Sequence, residues 1–410
     1  MRRLSRVLTT TVVALVVALT TVAAPAEARR KVEVYPVPGA ATITLTGHGY
    51  GHGHGLSQYG AEGAAQQGLT WQQISEFYYP GTSWGDLRGS IKVLISADTS
   101  SDVRVLAQPG LKLTRLFPRR TWALPAKGAK QWRLQPRGAT TKVQFKRSIG
   151  WRTWKSFRGE AEFSAASKRI VLVKSRSARS TYRGRLRSAM PTAGSGLRDT
   201  VNILSLEAYL RGVVPLEIPA LWSPDAVSAQ AVAARTYAAA ERSHPNAAHY
   251  EICDTTQCQV YGGYDVEHPN ATAAIKATAH QGLMYEGLPA FTQFSASSGG
   301  WTSAGSTPYL VAKEDPYDGW AGNKVHTWTL DVDDATLEQH YPTIGDLTSI
   351  EVATRDGNGE WGGRVLAMTL IGNAGRADIS GNTLRTVLGL RSSWFNFTVT
   401  PLAARSQRRR

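Results

Sequence analysis

Glu217 stands in an unusual setting for a carboxylate. Leu216, Ile218, Pro219 and Leu221 crowd it in the segment YLRGVVPLEIP at 209–219 and just beyond. Loss of water penalises the charged form of a carboxyl, so such surroundings raise its pKa and suit it to donate a proton. Cleavage of a glycosidic bond needs that proton on the leaving oxygen. The structural alternative is a loop-bracing ion pair, with Arg235 as partner. A second group is GHGYGHGHGLSQYG at 47–60, where alternate glycines let the backbone bend sharply or approach a ligand closely. Its histidines, His48, His52 and His54, would share one side of an extended strand with no carboxylate nearby. Substrate contact by His52, Ser57 and Gln58 is therefore expected in preference to a metal site, with a structural turn as the rival reading. The third group is Cys253 and Cys258, the chain's two cysteines. In an oxidising exterior an even pair so close in sequence forms a disulfide. With His249 four residues upstream, the pair could instead supply three zinc ligands.

The elements that must position these groups can be read from pattern. Residues 41–46, ATITLT, alternate as a strand. Segments 61–67 and 71–79 read as short helices closed by Pro80 and Gly81. From 91 to 187, β-branched runs broken by Pro and Gly predict a β-rich region with basic loops, and 190–198 reads as a long loop. A short strand at 201–204 and a helix at 206–211 lead into a loop, 212–222, that carries Glu217. The clearest helix runs from Pro224 to Arg242, with Ser223 as N-cap and Asp225 complementing the dipole. A strand at 365–371 and a helix at 383–388 complete an α+β class.

Composition places the chain outside the cytoplasm. Arg2, Arg3 and Arg6 precede an apolar stretch at 7–24, and Ala26-Glu27-Ala28 follows as a small-x-small cleavage site. Residues 1–28 thus read as a signal peptide, and a secreted product beginning near Arg29 is expected. The alternative, an uncleaved anchor, fits less well with five threonines in the stretch. No other run nears the ~18 apolar residues that span a bilayer, so no stable membrane insertion is expected. The net charge of +16 is concentrated: residues 111–187 hold 22 Lys and Arg against Glu160 and Glu162. Such a field attracts polyanions. Outside the cell these are anionic wall polymers and wall-peptide carboxylates rather than nucleic acid, the bland alternative being a solvated basic surface. Trp122, Trp132, Trp151 and Trp154 add aromatic faces of the kind that suit sugars.

Taken together, VVPLE at 213–217, QAVAARTY at 230–237, QVYGG at 259–263, SGGWT at 298–302, the SQYGA run at 57–61 and SGNTLRTVLGLRSSWF at 380–395 resemble the SpoIID/LytB domain family. The resemblance implies a SpoIID-like, β-rich core with the Ala-rich helix behind the catalytic loop and the basic β-rich region as an elaboration. It implies Glu217 in the catalytic acid position, with Gln230, Arg235 and Ser298 joining His52, Ser57 and Gln58 as substrate-binding residues. A branch of the family carries a His-Cys-Cys zinc site, with wider spacings than those of His249, Cys253 and Cys258; otherwise no metal and no cofactor is expected.

Members look like lytic transglycosylases of peptidoglycan, cutting the glycan strand between MurNAc and GlcNAc with one Glu and leaving 1,6-anhydro-MurNAc ends. Others look like non-catalytic enhancers of an N-acetylmuramoyl-L-alanine amidase, which would make a wall amidase a partner. The expected location is extracellular, on the cell wall. In the usual family order the Gly/His segment follows the LGLRSSWF block, whereas here it precedes everything else. A circular permutation accounts for this if 41–46 lies beside 393–399, since folded domains often have neighbouring termini. The expected organisation is a signal peptide (1–28), the permuted Gly/His segment (29–83), the basic region (84–190), the SpoIID-like region (191–400) and a basic tail (401–410).

Overall fold

The computed structural model describes residues 32–125, 127–175 and 178–402; the expected signal peptide and nearly all of the basic tail lie outside the described residues. Helices and several separate sheets combine in an α+β fold.

The helix Pro224–Ser243 organises the larger hydrophobic core. Every residue from Ala226 to Ala240 is buried, which explains the run of alanines: small side chains let several elements approach one helix on all sides. Gln58–Gln66, Trp71–Tyr78, Leu206–Leu210, Pro269–Ala277 and the strand Gln281–Tyr285 all pack on it. Its start differs from expectation. The Ser223 side chain makes no cap; its N–H and hydroxyl donate to Glu62 at 2.8 and 3.0 Å. Asp225 accepts the Trp71 N–H at 2.9 Å. The first turn is thus tied to the two helices of the Gly/His segment, which are themselves capped by Ser57 and by Thr70.

The region at 84–190 contributes to two sheets that face each other across the same core. One has six antiparallel strands, in the order Trp151–Arg158, Thr140–Lys146, Gln131–Arg137, Val103–Leu106, Arg169–Val173 and Arg179–Arg183. The other has seven, and includes Ser90–Leu94, Asp199–Ser205 and Leu111–Arg115. Val105, Trp132, Leu134 and Leu172 from the first sheet and Leu113, Phe163 and Leu186 from the second belong to one buried cluster. The two sheets thus share one buried interior.

A second core lies at the other end of the chain's path. The strand Ala41–His48 alternates buried and part-exposed residues along its length, as ATITLTGH dictates. It is the central strand of three, antiparallel to both Thr327–Asp333 and Phe395–Pro401, with Ile43 opposite Val332 on one side and Val399 on the other. Ile43, Leu45, Phe395 and Phe397 join Ile350, Leu370 and Leu384 in a cluster separate from the first. Ile43 is fully buried there. Ile43→Val should therefore lower unfolding stability by about 1 kcal/mol, read from a urea titration; an unchanged midpoint would show that this strand is not part of the cooperative core.

Candidate functional site

Glu217 ends a short helical turn, Val214–Glu217, inside what the sequence presented as a plain loop. Pro215 starts such a turn readily, because its fixed φ suits a first helical position. The carboxyl opens into a cleft of about 440 Å³ whose walls include Tyr50, His52, Gln58, Tyr237, the loop Thr256, Gln257 and Cys258, and Gln293 to Ala296. Burial pushes the Glu217 pKa up, and the Val260 N–H, donating to Oε1 at 3.0 Å, opposes that rise in part. Oε2 is left to carry a proton. Among the described residues no cation forms an ion pair with Glu217, and no second Asp or Glu lines the cleft.

The opposite wall comes from the Gly/His segment, which is not the extended strand expected beyond His48. Gly49, Gly51, Gly53 and Gly55 all have positive φ, between 65 and 114°, so the chain coils and the histidines diverge. A side chain at Gly49 would also meet the Ser297 carbonyl at 2.7 Å, because the segment lies directly on the SSGG loop. Short parallel pairing of Leu56–Ser57 with Phe294–Ser295 fixes it in place. His48 turns away to Glu360, 2.8 Å, between Trp361 and Trp394. His52 faces the cleft and stacks on His54 with ring centres 4.8 Å apart. Its Nδ1 accepts the His54 N–H at 2.9 Å, which puts the proton of the neutral ring on Nε2. Burial, with the nearby His54, Arg385 and Arg364, pushes its pKa down to about 3, so the ring is neutral at physiological pH.

Several residues expected to touch substrate do other work. Ser57 is buried; it caps the helix Gln58–Gln66 by accepting the Gly60 N–H at 3.0 Å and donates to Asp318 at 2.6 Å. Ser298, also buried, donates to Asp315 at 2.7 Å. Both hydroxyls are drawn inward because Asp315 and Asp318, on a loop the sequence reading passed over, need donors in a dry environment. Arg235 is fully buried, forked onto Glu207 at 2.7 and 3.0 Å and capping the Gln281 and Ile275 carbonyls. It neither reaches the cleft nor pairs with Glu217, since Glu207, one helical element earlier, claims the guanidinium first. Gln58 does line the cleft, and its amide donates to Gln230, which sits fully buried behind it.

Cys253 and Cys258 are joined in a disulfide, with Cα atoms 5.5 Å apart, and the loop it closes forms one rim of the cleft. His249 pairs with Asp199 at 2.6 Å instead. With the sulfurs bonded to each other, the zinc set of His249 and two thiolates is not assembled. Among the described residues no group of three or more His, Cys, Asp or Glu is placed to hold a metal.

The sequence reading missed Tyr50, Tyr237 and the strand-end residues Phe294 to Ala296. It also missed Val260, whose role is played by a backbone N–H that no residue type announces. The aromatic and Gln content of these stretches was the available signal.

Comparison with known proteins follows the same residues. Residues 195–285 match the family model described as "SpoIID: Stage II sporulation protein". An "Amidase enhancer" of Bacillus subtilis is 38% identical over 135 residues, which cover 32% of this chain and 17% of that protein. A "Stage II sporulation protein D" of Bacillus amyloliquefaciens is 28% identical over 222 residues, 48% of this chain and 61% of the relative. The Bacillus subtilis protein of the same name is 28% identical over 221 residues. The chain thus spans between about a sixth and three fifths of the length of these relatives. Of the described residues no helix is long and apolar enough to cross a membrane. The segment carrying Glu217, the long helix and the disulfide loop all fall within the stretch that matches the SpoIID family model.

Proposed function

We propose that this protein acts on peptidoglycan outside the cell as a lytic transglycosylase, with Glu217 as its single acid and base. The observation that carries the reading is one desolvated carboxyl, unpaired with any cation among the described residues, on the wall of a cleft of about 440 Å³. The protonated carboxyl of Glu217 gives its proton to the glycosidic oxygen between MurNAc and GlcNAc. The C1–O bond breaks as the 6-hydroxyl of the same MurNAc attacks C1. The Glu217 carboxylate, now steadied by the Val260 N–H on Oε1, takes the hydroxyl proton and is ready for another cycle. The products are a GlcNAc-terminated strand and a 1,6-anhydro-MurNAc end, and neither water nor a second carboxylate takes part. His52, neutral and with Nδ1 already engaged, shapes the far wall rather than moving protons.

Digestion of purified peptidoglycan followed by mass spectrometry tests this directly. Anhydro-muramyl ends are the expected product; reducing ends alone would mean hydrolysis and would overturn the single-residue cycle. The pH profile adds an independent check. The acid must be protonated, and burial raises its pKa, so activity should persist above the ordinary carboxyl range and fall as pH rises through that raised value. A falling limb at or below an ordinary Glu pKa would show that Glu217 is not the acid.

A second reading is favoured by the relative named an amidase enhancer. On it the same cleft grips glycan without cutting it, and the protein stimulates a wall amidase supplied in trans. Release of stem peptides by an added amidase, raised by this protein while no anhydro ends form, would establish that alternative. The position of the Gly/His segment ahead of the domain fits a permutation of the family order, with the central strand Ala41–His48 supplying the joint.

A further inference from the structure

The charge concentrated at 111–187 has a specific address in the fold. On the six-stranded sheet, the face bearing Val105, Trp132, Leu134 and Val143 is buried against the second sheet. Register then fixes what the other face carries. Arg133 is opposite Gln144 and Arg104; Thr140 is opposite both Arg137 and Arg158, with Lys142 and Lys146 at even steps along the same strand. Arg133, Arg137, Lys142, Lys146 and Arg158 therefore share one outward surface. Arg137 and Arg158 are exposed and the two lysines half-exposed.

Little negative charge answers them. Asp102 bridges Arg104 and Arg133 at 3.1 and 3.2 Å, and among the described residues Arg137, Lys142, Lys146 and Arg158 form no ion pair. The segment's own two acids are elsewhere. Glu162 is buried on the other sheet with Arg185 and Arg187, and Glu160 accepts the Met190 N–H at 2.5 Å. Burial pushes the Arg133 pKa down; Asp102 opposes that fall, and Arg104 and Arg137 add to it. The aromatics do not form a glycan platform. Trp132 is buried, and Trp122 and Trp154 pack edge-on to each other with centres 6.1 Å apart. Trp151 alone of the four belongs to the outward face, covered by the Arg133 guanidinium at 4.2 Å. What this surface offers is therefore charge, and Arg133, Arg137 and Arg158 on it are arginines, whose planar forks match phosphate oxygens.

We propose that the outward face of the six-stranded sheet docks a linear phosphodiester polyanion of the cell wall, tethering the cleft to its substrate layer. The wall as the source rests on the function proposed above; the surface and its ligand chemistry do not. Lys142 and Lys146 lie roughly 13 Å apart along one strand, with arginines on the neighbouring strands, a row suited to an extended chain charged at every repeat.

The test uses the full chain and immobilised poly(glycerol phosphate) over a range of salt. Wild type should bind with an affinity that falls as salt rises. The triple variant Arg137→Glu, Lys142→Glu, Lys146→Glu should lose at least about tenfold, with a shallower salt slope because fewer phosphates are neutralised. A control with the same change in net charge, Lys112→Glu, Arg119→Glu, Lys127→Glu, should stay within about threefold of wild type if the face rather than total charge decides. Should the triple variant fold poorly, Lys142→Gln with Lys146→Gln replaces it, with a loss of about threefold or more expected. The proposal is overturned if wild type does not bind, if the control loses as much as the triple variant, or if polyglutamate or duplex DNA binds as tightly as the phosphate polymer. Cleavage of peptidoglycan stripped of anionic polymer should be equal in wild type and triple variant. Its absence from both would count against the transglycosylase alone, because the binding arm reads no catalysis.

Discussion

Glu217→Gln should reduce formation of anhydro-muramyl ends by roughly 10³-fold or more while leaving the fold intact. The amide matches the carboxyl in size, and its carbonyl oxygen can still accept the Val260 N–H that Glu217 Oε1 accepts at 3.0 Å. It can neither release a proton to the glycosidic oxygen nor take one from the 6-hydroxyl, so both halves of the cycle fail together. Because the Glu217 carboxyl is desolvated, removing its charge should not cost stability, and the thermal midpoint should stay the same or rise. Glycan binding should survive, measured by pull-down with insoluble walls. Retained cleavage in the variant would remove Glu217 from the mechanism.

The largest stability loss is expected from Asp318→Ala. This fully buried carboxylate accepts from Ser57 at 2.6 Å, Ser297 at 2.7 Å, the Ser298 and Gly299 N–H groups, Asn323 and the His326 ring at 2.9 Å. Truncation strands those donors in a dry site, and breaking a buried, hydrogen-bonded charge pair costs about 3–5 kcal/mol. Burial pushes the Asp318 pKa up, but the hydrogen bonds from His326, Ser57 and Ser297 outweigh it and hold the value below the ordinary Asp range. Its contribution is therefore present above that range and lost as pH falls through the depressed value. Asp318 in turn holds the His326 pKa above ordinary, so that group's contribution is present at lower pH and lost as pH rises through the raised value. The gap between wild type and variant in urea midpoint should be widest between these limits. A gap independent of pH, or below about 1 kcal/mol, would mean the cluster is a packing feature without electrostatic weight.

Much of this was legible in the sequence where one residue type has one physical use. Pro224, Asp225 and the alanines announced the long helix, and ATITLT announced a strand buried on one face. Glu217 among Leu216, Ile218 and Pro219 announced a desolvated acid, and its raised pKa has that cause. Residues with several uses misled. Ser57, Ser298 and Arg235 sit in motif positions next to the cleft but point inward, because Asp318, Asp315 and Glu207 are nearer and drier than any ligand. Sequence distance hid those partners: Ser57 and Asp318 are 261 residues apart. The alternate glycines were read as extended because a period of two suits a strand, yet glycine equally permits the positive φ that actually coils the segment.

The central strand Ala41–His48 also constrains how the molecule comes into being. Both of its partners are made late, roughly 280 to 360 residues further along the chain. An emerging polypeptide thus carries this strand unpaired, with both edges open, until those partners have been made. Pairings so distant in sequence must pay loop closure before they return any contact energy, so the second core forms slowly and last. The far wall of the cleft is attached to that strand, and the site is therefore complete only after the strand Phe395–Pro401 has emerged. A chain whose cleft waits on so distant a pairing cannot hold a ligand there while those residues are unmade, and until then it stays threadable.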